Sequence, residues 1–266
     1  MNQITLPSLG EVRAAHSVRS GYERFLFVNT YLFRPPSFPA IWLLIRLGVS
    51  SESVSWFSGL AALAGFACLL RPGAPLLWPG IALLMLFNFC DCLDGGIARA
   101  MRTRNPYGRF LDSSMSWADM FFWAVVGAAV WRMPSLRAMP WVRPEAWPAA
   151  GAAAALLFSY AAYLEGLFDV SLRGYWEELQ AGKGVLPAPN PAEGSSGPAK
   201  IAKIALHNLR VRETQYVLFA AACLAGAADA LLLFYLALYS ALAVSLLFVY
   251  ARRGRKVFDS GLGREA

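Results

Sequence analysis

Asp91 and Asp94 stand three residues apart at the end of a long apolar stretch. Asp112 and Asp119 follow within the same segment, DCLDGGIARAMRTRNPYGRFLDSSMSWADM. A spacing of three places two carboxylates on one face of a helix. Gly95 and Ala98 share roughly that face and have almost no side chain, so a ligand can approach the backbone closely. Arg99 comes next, then a basic turn holding Arg102, Arg104, Arg109 and the helix-breaking pair Asn105-Pro106, with Gly108 ahead of Asp112. Acids within apolar segments are costly and usually serve a function. Three carboxylates converging at one boundary repel unless a cation lies between them, and oxygen ligands of this kind suit Mg²⁺, Mn²⁺ or Ca²⁺. A divalent ion beside arginines, over a floor of small residues, suits a pyrophosphate substrate. Such a substrate needs its oxygens neutralised while charge moves onto a leaving phosphate. The blander reading is that each acid solvates a helix end or pairs with a neighbouring arginine. It accounts for any one Asp but not for their joint spacing.

The elements that must position these residues are membrane helices. Of the 266 residues 57% are hydrophobic and 15% are charged, and mean hydropathy is +0.44. Soluble domains carry about a quarter charged residues. The expected fold is an all-α integral membrane protein with six transmembrane helices, roughly 52–70, 75–97, 110–131, 147–168, 207–227 and 230–250. Ser50 or Ser51 is a candidate cap for the first. The fifth has a short apolar part and should extend beyond the bilayer through IAKIALHNLRVRE. The segment 34–48 is too short and proline-rich to span; it reads as an interfacial helix anchored by Trp42. Residues 184–199 form a Pro/Gly/Ser/Ala-rich loop. Three regions result: a cytoplasmic N-terminal segment, 1–50, with the interfacial helix; a six-helix catalytic domain, 51–252; and a basic cytoplasmic tail, 253–266.

Charge sets the orientation. Of the 24 Lys and Arg residues, only Arg71, Arg132, Arg137 and Arg143 fall on the side opposite the N-terminus. Both termini and the acidic cluster are therefore expected in the cytosol. The first thirty residues carry scattered charges and no apolar core, unlike a signal peptide. The net charge of +7 suits anionic lipid head groups. No basic arm, aromatic platform or nucleic-acid motif is present, so no nucleic-acid partner is expected. Cys68, Cys90, Cys92 and Cys223 lie in or beside apolar segments and read as buried thiols. Cys90 and Cys92 lack zinc-site spacing, and His16 and His207 have no partner at ligand spacing.

The segment from Asp91 resembles the signature of the CDP-alcohol phosphotransferase (CDP-alcohol phosphatidyltransferase) family, D-x2-D-G-x2-A-R-x8-G-x3-D-x3-D. Asp91, Asp94, Gly95, Ala98, Arg99, Gly108 and Asp112 match, so seven of the eight fixed positions agree. The six-span layout and interfacial helix also look like the family, and SSESVSWFSG is similar to its segment at the start of the first span, at Val54 and the Ser55 hydroxyl. The resemblance implies transfer of a phosphate-linked group from a CDP-alcohol to an acceptor alcohol with release of CMP. It implies that Asp91, Asp94 and Asp112 hold Mg²⁺ or Mn²⁺ as a pair of ions. Gly95, Ala98, Gly108 and Ser55 would line the nucleotide site, and Arg99 would neutralise phosphate. A homodimer is also implied. The last Asp of the signature, which in the family ligates the second metal and serves as general base, is here Ser116.

A serine hydroxyl is a poor metal ligand and no base near neutral pH. In an unbroken helix Asp112, Ser116 and Asp119 share a face, with Asp119 about 10 Å beyond Asp112 along the axis. Asp119 could then act through a water held by Ser116, as base or as outer-shell partner; alternatively it bonds a neighbouring helix. Arg212, entering the fifth span beside Glu213, and Arg109 are the candidates for binding a phosphorylated polyol acceptor. The expected function is a membrane phosphotransferase of phospholipid or related phosphodiester synthesis using a CDP-lipid donor such as CDP-diacylglycerol. Ser116 supports the alternative of a catalytically impaired or non-catalytic CDP-alcohol-binding homologue. A transporter is a third reading, opposed by the grouping of the acids at one boundary.

Overall fold

The computed structural model describes residues 6–71, 73–103, 105–182 and 196–262. The expectations for Arg104, most of the 184–199 loop and the last four residues of the basic tail lie outside them. Among the described residues all regular structure is helical. Four helices are long and apolar enough to cross a membrane: α3 (Ser51–Leu70), α4 (Leu77–Ala100), α7 (Ala146–Ser171) and α11 (Ala228–Asp259). They correspond to the first, second, fourth and sixth expected spans. The cysteines are free thiols.

The other two expected spans are each interrupted. The stretch 110–131 is divided between α5 (Pro106–Met115) and α6 (Ala118–Arg132). Ser114 Oγ donates to the Phe110 carbonyl at 2.7 Å and Ser116 Oγ to the Asp112 carbonyl at 3.2 Å. Hydroxyls that bond back to the i−4 carbonyl compete with the helical ladder and bend helices. The stretch 207–227 is divided between α9 (Gly197–Arg210) and α10 (Arg212–Leu224) by Val211, whose backbone is extended. Asn208 pins the end of α9: its side chain donates to the Phe25 carbonyl at 2.6 Å and accepts from Phe27 N at 3.0 Å.

Two compact units emerge, residues 1–119 with 190–224 and residues 120–189 with 225–266. In the first, α3 packs along α4. Ser50 caps α3, accepting from Ser53 N at 3.1 Å. A Cβ at Gly65 would lie 3.1 Å from the Gly80 carbonyl oxygen, so glycine permits the close approach of α3 and α4. The N-terminal helix α1 (Leu9–Glu23) and α2 (Arg34–Arg46), the expected interfacial helix, pack on α4. Arg34 holds Glu23 with two hydrogen bonds, 2.8 and 2.7 Å, and reaches the Cys92 carbonyl at 3.3 Å. Sequence reasoning had given this pair no part.

In the second unit α7 packs along α11, with the short helix α8 (Arg173–Ala181) against both. Gly127 of α6 faces Gly151 of α7 so closely that a Cβ on either would come within 2.8 Å of the other's Cα. Trp123 stacks on Tyr235 with ring centroids 4.1 Å apart. Asp229 is fully buried and accepts from Ala138 N and Met139 N at 3.0 and 2.8 Å, which secures the turn before α7.

Candidate active site

The C-terminal half of α4 carries Asp91, Asp94, Gly95, Ala98 and Arg99. The helix ends in a Schellman motif, with Thr103 N donating to the Ala98 carbonyl at 3.0 Å and Arg102 N to the Arg99 carbonyl at 3.2 Å. Arg102 occupies the left-handed position, φ 55°, where glycine is usual. Asn105 then caps α5, accepting from Gly108 N at 2.7 Å, and Pro106 takes the first turn, where its missing N–H costs nothing. The two caps fold the basic segment back so that α5 returns Asp112 toward α4.

A cavity of about 330 Å³ results, lined by Ser55, Asp91, Asp94, Gly95, Ala98, Arg99, Gly108, Arg109 and Asp112. Every one of these was singled out from the sequence. Ser51, Glu52, Thr103, Asn105 and Ser113 also line it; no ligand role was read for them, because capping and turn-forming residues carry no distinctive spacing. Another cavity, of about 360 Å³, lies against α1 and α2. Its one carboxylate, Glu23, is already paired with Arg34, so it lacks the acid cluster this chemistry needs.

Within the first cavity Asp94 is buried, and its Oδ2 accepts from Ser55 Oγ at 2.7 Å while Oδ1 accepts from Gly95 N. Asp91 and Asp112 line the same cavity. Asp91 also meets the Arg212 guanidinium at 2.9 Å. Among the described residues, no three acidic, cysteine or histidine side chains are gathered tightly enough to hold a metal as they stand. The donor set nevertheless suits a hard cation in its chemistry, since three aspartate carboxylates border one polar cavity.

Ser116 and Asp119 are placed otherwise than an unbroken helix would place them. Ser116 is the C-cap of α5 and Asp119 lies in the first turn of α6, its N–H donating to the Ser116 carbonyl at 3.1 Å. The shared helix face inferred from i, i+4, i+7 spacing is therefore corrected. Asp119 Oδ2 lies 3.4 Å from Arg212 Nη1, and Oδ1 accepts from Tyr216 Oη at 3.5 Å. Arg212 Nε donates to Asn88 Oδ1 at 3.1 Å, and the guanidinium lies 4.5 Å above the Phe87 ring. Asn88, Phe87 and Tyr216 had no sequence signal, since apolar helices hide their polar partners until packed.

The helices that carry this site lie within a segment similar to known proteins. Residues 51–165 match the CDP-alcohol phosphatidyltransferase family. The match runs over α3 to α6 and most of α7. It is 35% identical over 77 residues to a phosphatidylinositol phosphate synthase of Streptomyces avermitilis, covering 29% of this chain and 31% of that protein. It is 36% identical over 72 residues to a phosphatidylinositol phosphate synthase of Cutibacterium acnes, covering 27% of this chain and 34% of that protein. The chain thus spans about a third of the length of the curated relatives it matches.

Proposed function

We propose that this chain transfers a phosphate-linked alcohol from a CDP-alcohol to an acceptor hydroxyl, releasing CMP, in phospholipid synthesis. One observation carries the reading: every signature residue from Asp91 to Asp112 lines one cavity that pairs a carboxylate wall with Arg99 and Arg109. Asp91, Asp94 and Asp112 would hold Mg²⁺ or Mn²⁺. When bound, the ion neutralises pyrophosphate oxygens and draws charge toward the leaving nucleotide. Gly95, Ala98 and Gly108 leave room for the nucleotide against the backbone, and Ser55 fixes the Asp94 carboxylate from α3. Arg99 and Arg109 meet the diphosphate and an anionic acceptor. The acceptor oxygen forms a bond to the phosphorus bearing the alcohol, the phosphoanhydride P–O bond breaks, and CMP leaves with the electron pair. The acceptor's proton passes to a carboxylate, with Asp119 the candidate.

The relatives' name supports a CDP-diacylglycerol-like donor and a phosphorylated polyol acceptor such as an inositol phosphate. The charge asymmetry supports six spans, α5–α6 and α9–α10 making interrupted crossings, with both termini and the cavity facing the cytosol. A homodimer in the inner membrane completes the reading. Ser116 supports a second reading, a CDP-alcohol-binding homologue without turnover, because its hydroxyl is spent on the Asp112 carbonyl. Nucleotide binding tests the site itself. CDP should bind the purified chain in a Mn²⁺-dependent manner, and Asp112→Ala or EDTA should abolish binding. CDP affinity indifferent to both would remove the basis for the assignment.

A further inference from the structure

Arg212 is an unusual residue to find where it lies. It opens α10, and a helix N-terminus disfavours a cation. Its side chain is only 11% exposed. It is retained by Asp91 at 2.9 Å, Asp119 at 3.4 Å and Asn88 at 3.1 Å, over the face of Phe87. Asn88 has no exposed surface, turns its oxygen to the guanidinium, and leaves its amide nitrogen without a protein partner. The pocket of α4, α6 and α10 side chains is thus arranged around a fixed positive charge.

That charge alters what else the acids can hold. One oxygen of Asp91 and one of Asp119 already face the guanidinium. Ser116, where a carboxylate would complete a second set of ligands, supplies a neutral hydroxyl that donates to the Asp112 carbonyl at 3.2 Å. Glu213 adjoins Arg212 on α10 and interacts with it electrostatically. The acids that line the cavity are Glu52, Asp91, Asp94 and Asp112, with Asp94 also accepting from Ser55 and Gly95 and one Asp91 oxygen held by the guanidinium. Those donors suffice for one divalent ion. A second would be set against a guanidinium that cannot lose its proton.

Resting on the function proposed above, we propose that Arg212 is the built-in second positive charge of this site, and that the chain binds one divalent ion. It reconciles the serine at 116 with a working site: where the last carboxylate of the signature is absent, a positive charge fixed on the chain pairs with Asp91 and Asp119.

The experiment counts ions on the full chain in lipid nanodiscs, titrating Mn²⁺ and following its electron paramagnetic resonance. Wild type should saturate at one Mn²⁺ per chain with an uncoupled spectrum. Arg212→Lys, which keeps the charge, should also hold one. Arg212→Met should bind Mn²⁺ about tenfold more tightly, because a competing cation is gone. Arg212→Met with Ser116→Asp should hold two ions with a spin-coupled signal. Two ions on wild type would overturn the proposal and leave the phosphotransferase reading intact. Weaker Mn²⁺ binding by Arg212→Met would also overturn it, since that is what a residue merely positioning Asp91 would give. If Arg212→Met does not fold, the wild-type and Arg212→Lys counts decide. No bound Mn²⁺ at all on wild type would sink both readings together.

Discussion

Ser55 on α3 donates a hydrogen bond of 2.7 Å to the Asp94 carboxylate on α4. The two residues are the point at which the best-packed helix pair of the first unit meets its cavity. The pair also gives the resemblance at Ser55, carried by few residues, a physical content: a hydroxyl is wanted there to hold an acid.

Ser55→Ala should therefore cost more than a surface substitution. Removing one partner of a buried acid leaves the other unsatisfied, at about 1–3 kcal/mol. Thermal unfolding in detergent should show the loss, and Mn²⁺-dependent CDP binding should weaken with it. Ser55→Thr, which keeps the hydroxyl, should restore both. An alanine variant as stable as wild type would mean that Asp94 finds another donor.

Arg102 offers the opposite sign. It takes the left-handed position of a Schellman motif, φ 55°, which costs a non-glycine residue about 1 kcal/mol. Arg102→Gly should stabilise the chain by up to about that amount without altering CDP affinity. A lower unfolding temperature would show that the Arg102 side chain contributes more than its backbone strain costs.

The Glu23–Arg34 pair should make stability depend on acid pH. Burial alone would raise the Glu23 carboxyl, but hydrogen bonds from His16 and Arg34 and the charge of Arg34 outweigh it and bring it from 4.5 down to about 2. A carboxyl depressed on folding contributes stability that is complete above its unfolded value and vanishes as pH falls through its folded one. The window is thus pH 4.5 down to about 2, and the contribution is about 3 kcal/mol. Glu23→Gln should be less stable than wild type at neutral pH, and the gap should close as pH falls below 4.5. A gap independent of pH would show that the charge of Glu23 is not what matters.

On the proposed function, substitutions at Asp119 and Ser116 should separate catalysis from binding. Asp119 touches Arg212 and Tyr216, so Asp119→Asn should lower kcat while leaving KM for the CDP-alcohol nearly unchanged. Ser116→Asp should raise kcat by supplying a carboxylate beside the cavity. Equal losses in kcat and donor affinity for Asp119→Asn would mark Asp119 as part of the binding wall instead.

The cavity was legible in the sequence because most of its parts lie on α4 and α5 with fixed spacing. Asp91, Asp94, Gly95, Ala98 and Arg99 share a face of one helix, and the Asn105-Pro106 start returns Gly108 and Asp112 to it. The interruption at Ser116 and Trp117 was not legible, since apolar residues continue through it and only the serine hydroxyls compete with the ladder. The partners of Arg212 were not legible either. They come from α4 and α6, and nothing local in the sequence joins Asn88 to Arg212. The same holds for Glu23 with Arg34 and for Asp229 with the 138–139 backbone, where a buried acid finds its donors only once the helices pack.

The most direct test of phosphotransfer at this cavity is CMP release by the purified full chain. CDP-diacylglycerol and soluble CDP-alcohols would be offered with Mg²⁺ or Mn²⁺ and a panel of polyol phosphates. The expected result is CMP formed only when donor, acceptor and metal are all present, abolished by Asp91→Ala and Asp112→Ala and increased by Ser116→Asp. No CMP from wild type with any pair, together with CMP from Ser116→Asp, would contradict the account and leave a protein that binds CDP-alcohols without turning them over.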